Sequence, residues 1–274
     1  MSGDRPMSSP PSAALWSAAQ WYEADLAVVD VETTGLDSSK DRIIEIAVVH
    51  MRAGQMIERW STLVDPGIAI PDEVVAITGI TSEMVKGAPR FHDVAADVLA
   101  RLEGRLFVAY NHLFDRGFVS NELERVGRSM PDTPCLDPLV FAREFQKDDG
   151  SKKLGKVAER LGITLSEAHR AANDAEVAGF ILYAFRDKLP PYVEDIVALQ
   201  EQWSVQQEQV LAQRRAWRAG GSAEPAAAVG SVGANRTIDG FVLGPAYIYG
   251  AEPDPIRFFY GLLPDVGSTK KTSS

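Results

Sequence analysis

The first part of the chain contains short, mainly apolar runs with the length and composition of β-strands. Three apolar runs with this character cover Leu26 to Val31, Ile43 to Val49 and roughly Met56 to Val64. The segments between them, "TGLDSSKDR" and "RAGQ", have the composition of tight turns. The pattern therefore predicts three strands joined by hairpin connections.

After the Pro/Gly-punctuated segment "DPGIAIP", the pattern becomes mainly helical. It predicts a helix from His92 to Leu102, a fourth strand at "RLFVAY" and a helix at "NHLFDRGFVSNELERVG". Three further helices are predicted at "PCLDPLVFAREF", "KKLGKVAERLG" and "AANDAEVAGFILYAFRDKL". Hairpin strands followed by strand–helix alternation predict an α/β fold with a mixed sheet flanked by helices.

Changes in composition divide the chain into four predicted regions. Residues 1–24 are a Ser/Pro-rich tail, predicted to be disordered, followed by a short helix. Residues 25–190 form the main domain, and residues 191–219 form one long helix. Residues 220–274 begin with a flexible linker and end in an apolar tail, "FFYGLL" included, to which the sequence assigns no role.

The long helix carries a regular apolar stripe. Ile196, Trp203, Val210 and Trp217 are spaced seven apart, which is weakly typical of a coiled coil. Packing of this stripe on its own domain is the favoured interpretation, because amphipathic helices usually pack in that way.

Composition and charge limit the function classes. The 274 residues are 45% hydrophobic but include no apolar run long enough to cross a membrane. The N-terminus lacks the pattern of a secretory signal, and the single cysteine, Cys135, fits a reducing cytoplasm, so a cytoplasmic location is predicted. The formal net charge of −10 disfavours a module that binds nucleic acid by bulk electrostatics. A metal-dependent nuclease remains compatible with that charge, because divalent cations can screen the phosphates.

Four acidic side chains are predicted to face the protein interior. Asp30 and Glu32 lie two apart at the end of the first strand, so they project from the same face. Asp115 shares a helical stripe with Phe118 and Val119, which places it on the apolar face of its helix. The fourth acid, Asp174, aligns in the same way with apolar residues of the last helix of the domain.

Convergence of these acids would require cations. Each close pair of bare carboxylates would cost about 4 kcal/mol at an effective dielectric near 20. Carboxylate oxygens are hard ligands and suit Mg²⁺ or Mn²⁺. His169, five residues before Asp174, can approach the site only if it lies on the loop before the helix.

The segments "DVETTGL", "NHLFD" and "HRAAND" resemble, in order and spacing, the three motifs of the DEDDh, or DnaQ-like, 3′–5′ exonucleases, which include proofreading subunits of bacterial DNA polymerase III. "IPDEVVAITGITSEMVKGAP" is similar to a further segment of that family. The resemblance covers about residues 25 to 189. It implies a ribonuclease H-like fold with a five-stranded mixed sheet, here followed by an extra C-terminal helix and tail.

The resemblance also implies roles for individual residues. Asp30, Glu32, Asp115 and Asp174 would hold two Mg²⁺ or Mn²⁺ ions, and His169 would act as the general base. The implied substrate contacts are Thr33, Leu36, Ile80, Phe114 and Asn111, of which the last could equally fix the turn before Asp115. Lys152, Lys153 and Lys156 could meet the phosphate backbone, although a solvated helix face is their ordinary explanation.

Two functional interpretations stay open from the sequence. The first is an exonuclease acting on single-stranded 3′ ends, with DNA favoured and RNA trimming as an alternative. The second is a module that tethers a DNA polymerase or repair complex through the C-terminal region, with incidental nuclease activity.

Overall fold

A computed structural model of the chain describes residue 16, residues 18–164 and 170–218, and the segments 236–238 and 241–243. The chain forms two compact units, Met1–Gln200 and Glu201–Ser274. The predicted disordered tail and the "FFYGLL" segment lie outside the described residues. The predicted end of the main domain at residue 190 stays a prediction.

The first unit contains a five-stranded mixed sheet. Its strands are β1 (Leu26–Thr33), β2 (Ile43–Arg52), β3 (Gln55–Leu63), β4 (Leu106–Val108) and β5 (Cys135–Leu136). The strand order is β3-β2-β1-β4-β5; the β1–β2 and β2–β3 pairs are antiparallel, and the β1–β4 and β4–β5 pairs are parallel. The predicted α/β fold with a five-stranded mixed sheet is therefore confirmed.

Helices follow and flank the strands. They are α1 (Asp72–Thr78), α2 (Ser82–Val85), α3 (Phe91–Leu102), α4 (His112–Arg125), α5 (Pro138–Phe145), α6 (Leu154–Arg160), α7 (Ala171–Ala184) and α8 (Val193–Arg218), with a 3₁₀ turn at Arg186–Lys188. The described part of the second unit holds most of α8 and an antiparallel pair of short strands, β6 (Arg236–Ile238) and β7 (Phe241–Leu243). No helix of the described residues has both the length and the apolar character that a membrane span requires.

Three local predictions need correction. Turns occupy the described residues before β1 in place of the predicted short helix, because this segment instead bonds to the chain around Pro191: Trp21 N–H donates to Pro191 O at 3.0 Å and Val193 N–H donates to Ala19 O at 3.0 Å. The predicted helix at "PCLDPLVFAREF" begins with β5, since Cys135 and Leu136 pair with β4. Its helical part starts only at Pro138, with Asp137 as the N-cap.

The third correction concerns the stripe on α8. Ile196 is buried, as the favoured interpretation requires, but Val210 is 46% exposed and Trp217 is 75% exposed. In the first turns of α8 the buried side chains are Val193, Ile196 and Gln200, at the three- and four-residue spacing of an α-helix. The buried positions at the start of α8 thus follow the helical period and not the seven-residue spacing of the stripe.

The two faces of β1 serve different purposes. Ala27, Val29 and Val31 belong to the main apolar core, which also contains buried side chains of α3 and α4. Val28 points to the opposite face, where α7 lies so close that a Cβ added to Gly179 would be 3.2 Å from Val28 Cγ2. This alternation leaves Asp30 and Glu32 on the α7 side of the sheet.

Gly179→Val should lower the stability of the protein because the added side chain would push α7 away from the sheet. The new Cβ would meet Met51 Sδ at 2.2 Å as well as Val28. We expect a loss of about 1–3 kcal/mol, typical of overpacking, measurable by denaturant unfolding. Ala184→Val, at an exposed position of the same helix, is the matched control. Equal losses in the two variants would show that helix propensity, not close packing, explains the effect.

Candidate functional site

Three carboxylates from two elements come together at one end of the sheet. One oxygen each from Asp30, Glu32 and Asp174 can be chosen such that all lie within 4.8 Å of one another. Glu32 is buried, with 2% of its surface exposed, and the other two are half-buried. The strand therefore ends in two acids where the first turn of α7 supplies a third.

Small residues let α7 approach the sheet closely enough for this. Ala171 and Ala172 pack on Ala47 of β2, which lies directly beside Asp30 in the antiparallel ladder. The helix begins at Ala171, so position 169 precedes it, as the sequence analysis requires for the histidine. His169 itself, with residues 165–168, lies outside the described residues.

Asp115 is buried against the same end of β1 but is held differently. Its Oδ1 accepts the backbone N–H of Val31 at 3.0 Å. The parallel pairing of β1 with β4 ends at Val28 and Val108. The Asp115 carboxylate therefore accepts a β1 backbone hydrogen bond beyond the end of β4. Asp115 is not a member of the three-carboxylate group, although its charge reaches Asp30.

Burial and the charges of neighbouring acids raise the pKa values of the carboxyl groups at this site. Burial raises the pKa of Asp30 well above its usual value, and the charges of Asp115, Asp174 and Glu32 raise it further. Burial also raises the pKa of Asp115, while the hydrogen bond from Val31 N–H opposes that rise. Ionised carboxylates at this site are therefore energetically costly in the absence of a cation.

The sequence analysis missed a fifth acid, Glu45 of β2. It is 6% exposed and lies directly across from Glu32 in the antiparallel ladder. Burial raises its pKa, while the Ala171 N–H, 3.5 Å from Oε2, and the charge of Arg170 oppose the rise. The signal was a single charge inside the apolar run "IIEIAVV", since an acid in a buried strand needs a partner.

The donor set fits a divalent cation of the hard class. All three converging groups are carboxylates, and oxygen ligands of this kind suit Mg²⁺ and Mn²⁺. A bound dication would also offset the repulsion that raises the pKa of Asp30. Asp30, Glu32 and Asp174 are thus the residues that could hold a metal, with Asp115 beside them.

The residues predicted to contact substrate differ in accessibility. Thr33 is buried and its hydroxyl donates to Gly35 O at 2.6 Å, whereas Leu36 is half-buried. Phe114 is partly buried, and its ring centroid lies 4.8 Å from that of Phe118. Ile80 is fully buried in a small cluster with Ile44 and Ile70, so contact with a nucleotide would require that cluster to open.

Asn111 adopts a left-handed conformation, with φ at 78°, immediately before α4. Asparagine tolerates this region better than most residues, which favours the turn-fixing alternative for its role. Tyr110, one residue earlier, donates its hydroxyl hydrogen to Lys152 O at 2.5 Å. The backbone around the predicted basic residues is thereby fixed to the end of β4, and Lys156 pairs with Glu159 at 2.8 Å.

The stability of the metal-free protein should fall as the pH rises. A carboxyl group whose pKa is raised by folding stabilises the native state while protonated and loses that contribution as pH passes the raised pKa. Because the pKa of Asp30 and that of Asp115 are raised, thermal unfolding in chelator should give a higher Tm at about pH 5.5 than at pH 8. Asp30→Asn should flatten this slope and the exposed control Asp72→Asn should not. If Tm falls equally steeply with pH in the wild type and in both variants, the raised pKa of Asp30 is not the cause of the fall.

Comparison with known proteins matches the region of the chain that carries these acids. A family profile described as "Exonuclease" (RNase_T) matches residues 27–182. The DNA polymerase III PolC-type of Clostridium perfringens is 34% identical over 184 residues, 66% of this chain and 13% of that protein. The 3′-5′ exonuclease DinG of Bacillus subtilis is 40% identical over 163 residues, 59% of this chain and 18% of that protein. The chain thus spans less than a fifth of these relatives.

Solved structures share the fold. E. coli exonuclease I in complex with a dA16 oligonucleotide aligns with a TM-score of 0.54 and 20% identity, over 60% of this chain and 41% of that chain. Exonuclease X in complex with 5′ overhanging duplex DNA aligns with a TM-score of 0.51 and 24% identity, over 64% of this chain and 99% of that chain. The ribonuclease H-like fold implied by the motifs is accordingly confirmed.

Proposed function

The chain belongs to the exonuclease family whose profile it matches over residues 27–182, and from this premise we propose that it removes nucleotides from the 3′ ends of single-stranded DNA in a metal-dependent reaction. The observation that carries the proposal is the group of three carboxylates, Asp30, Glu32 and Asp174, within 4.8 Å of one another. Support for the 3′–5′ direction comes from the similarity to DinG, which is named a 3′-5′ exonuclease.

Asp30, Glu32 and Asp174 would hold two divalent ions, with Asp115 completing the acidic environment. When bound, such ions supply charge stabilisation for the attacking and leaving oxygens of an in-line displacement at phosphorus. Mg²⁺ and Mn²⁺ are the proposed ions because the three converging groups among the described residues are all hard oxygen ligands.

The remaining roles fall to side chains around the acids. His169 would accept the proton of the attacking water, since imidazole titrates near neutral pH. Thr33 and the backbone after Glu32 would receive the terminal 3′ hydroxyl, and Leu36 and Phe114 would contact the last base or sugar. Cleavage of the P–O3′ bond leaves the phosphate on the released residue, so the product is a nucleoside 5′-monophosphate.

Digestion of end-labelled oligonucleotides tests the proposal. A 5′-labelled single strand should shorten stepwise from its 3′ end when Mg²⁺ or Mn²⁺ is added, and chelator should stop the reaction. Matched duplex DNA, single-stranded RNA and 3′-phosphorylated DNA should be degraded more slowly. Internal cleavage, or shortening from the 5′ end, would contradict the proposed reaction, and faster digestion of RNA would assign the chain to the RNA-trimming alternative.

A second proposal is that the chain acts beside a DNA polymerase or a repair complex. The exposed apolar side chains of α8 favour it: Val205 is 58% exposed and Trp217 is 75% exposed. Regions similar to this chain occur in proteins named DNA polymerase III PolC-type. If the chain proofreads, it should remove a mismatched 3′ terminus from a primer–template faster than a matched one. Equal rates on the two substrates would argue against proofreading.

A further inference from the structure

A glutamine of α8 completes the outer edge of the sheet. Gln200 is 5% exposed and follows the buried Val193 and Ile196 on the same face of the helix. Its Oε1 accepts the N–H of Asp137 at 2.6 Å and its Nε2 donates to Cys135 O at 3.1 Å. Because β5 is the edge strand, the side-chain amide makes the two backbone hydrogen bonds that another strand would otherwise make.

Asp137, whose backbone N–H bonds to Gln200, connects this edge of the sheet to the start of α4. Asp137 is 5% exposed, and its Oδ1 accepts the N–H of Asn111 at 2.9 Å. Its Oδ2 lies 3.2 Å from both the backbone nitrogen and Nδ1 of His112. One carboxylate thus satisfies the first backbone donors of α4, and it also caps α5 by accepting from Leu139 N–H at 2.9 Å.

The turn fixed by Asp137 leads directly to an acid of the site. Asn111 has a φ of 78°, in the left-handed region that few residues other than glycine and asparagine adopt readily. One helical turn later, Asp115 bonds to Val31 N–H of the strand that carries Asp30 and Glu32. Hydrogen bonds therefore connect Gln200 to Asp137 and Asp137 to the start of α4, and the first turn of that helix carries the carboxylate that bonds to β1.

We infer that Gln200 is a positioning residue for the acidic site, acting through Asp137 on Asp115. The family profile ends at residue 182, so α8 lies beyond the region that this profile matches. The inference rests on the proposed function in one respect, namely that Asp30 and Glu32, on the strand to which Asp115 bonds, bind the metal. Its physical basis is that outer hydrogen bonds orient the groups around a metal, and their loss typically costs about 10–100-fold in metal affinity or activity.

Gln200→Met tests this in the full-length protein, because methionine has a similar volume but cannot make either hydrogen bond. The Mn²⁺ concentration that half-saturates activity should rise about tenfold and kcat should fall, while KM for the oligonucleotide stays nearly constant. Mn²⁺ binding measured by calorimetry should weaken to match. In the metal-free protein, the amides of residues 111–115 should exchange hydrogen faster.

Gln202→Met, at an exposed position of the same helix, is the matched control and should leave all of these measurements unchanged. A Gln200→Met protein with wild-type Mn²⁺ binding and wild-type amide exchange would overturn the inference, as would a lower Tm with no other change. If the wild type degrades no nucleic acid but Gln200→Met still weakens Mn²⁺ binding and loosens α4, the proposed function fails and the positioning role stands.

Discussion

Asp30→Asn is expected to lower the rate of hydrolysis by about 10³-fold or more and, in the same molecule, to raise the Tm of the metal-free protein. One carboxylate oxygen each from Asp30, Glu32 and Asp174 lie within 4.8 Å of one another. Removing the charge of Asp30 therefore weakens the binding of any dication at this site. Loss of one strong electrostatic contact to the transition state typically costs about 10²–10³ in kcat, and a weakened ion adds to that loss.

The stabilising half of this prediction follows from the same electrostatics. Burial and four neighbouring acids raise the pKa of Asp30, so its ionised form opposes folding at neutral pH. A gain of about 1 kcal/mol would raise Tm by about 2–4 °C in a domain of this size. The measurements are turnover of a labelled oligonucleotide with Mn²⁺ and thermal unfolding in chelator.

An exposed acid provides the control for Asp30→Asn. Glu73→Gln on α1 removes one negative charge from the surface and should change neither turnover nor Tm by more than a small amount. A Tm for Asp30→Asn equal to or below that of the wild type would show that the carboxylates do not repel one another. Retained turnover would remove Asp30 from the metal site.

Much of the acidic site follows from side-chain periodicity alone. The two-residue alternation of β1 places Asp30 and Glu32 on the face opposite Val29 and Val31, and the structure has the latter pair in the core under α3 and α4. Helical spacing likewise aligns Asp174 with Ala178 and Ile181, both of which are buried. Local sequence determines which way these side chains point, so a pattern can predict it.

What the pattern could not predict depends on contacts between distant segments. Cys135 and Leu136 form a strand only because β4 lies beside them, and a two-residue strand leaves no alternation to detect. The bonds of Asp137 to Asn111 and of Gln200 to Asp137 span 26 and 63 residues. No local periodicity encodes such pairs, so the tertiary fold is needed to find them.

Glu45 could be predicted from the sequence only in part. Its charge inside an apolar strand was visible in the sequence, but its position opposite Glu32 depends on the register of β1 and β2. Directly opposed like charges destabilise a sheet. A register that pairs them is therefore another sign that this end of the sheet is built for a cation rather than for stability.

His169→Ala is expected to lower kcat by about 10²–10⁴-fold while leaving the stabilisation by Mn²⁺ intact. Residue 169 precedes α7, which begins at Ala171, and the sequence analysis expects the imidazole to reach the attacking water from that position. If the histidine is the general base, the wild-type rate should rise with pH across the range where imidazole loses its proton, and the rate of the variant should not. The measurements are the pH dependence of turnover and the Mn²⁺-dependent shift in Tm.

The two measurements on His169→Ala distinguish a general base from a metal ligand. His92→Ala, which removes an imidazole that is 63% exposed at the start of α3, should leave both measurements unchanged. Parallel losses of turnover and of Mn²⁺-dependent stabilisation in His169→Ala would make His169 a metal ligand. Such a result would shift the chemistry to a softer site, because imidazole also suits zinc and other transition metals. Loss of turnover alone leaves proton transfer as its role, since an imidazole that does not bind the ion can affect the rate only through the water or the substrate.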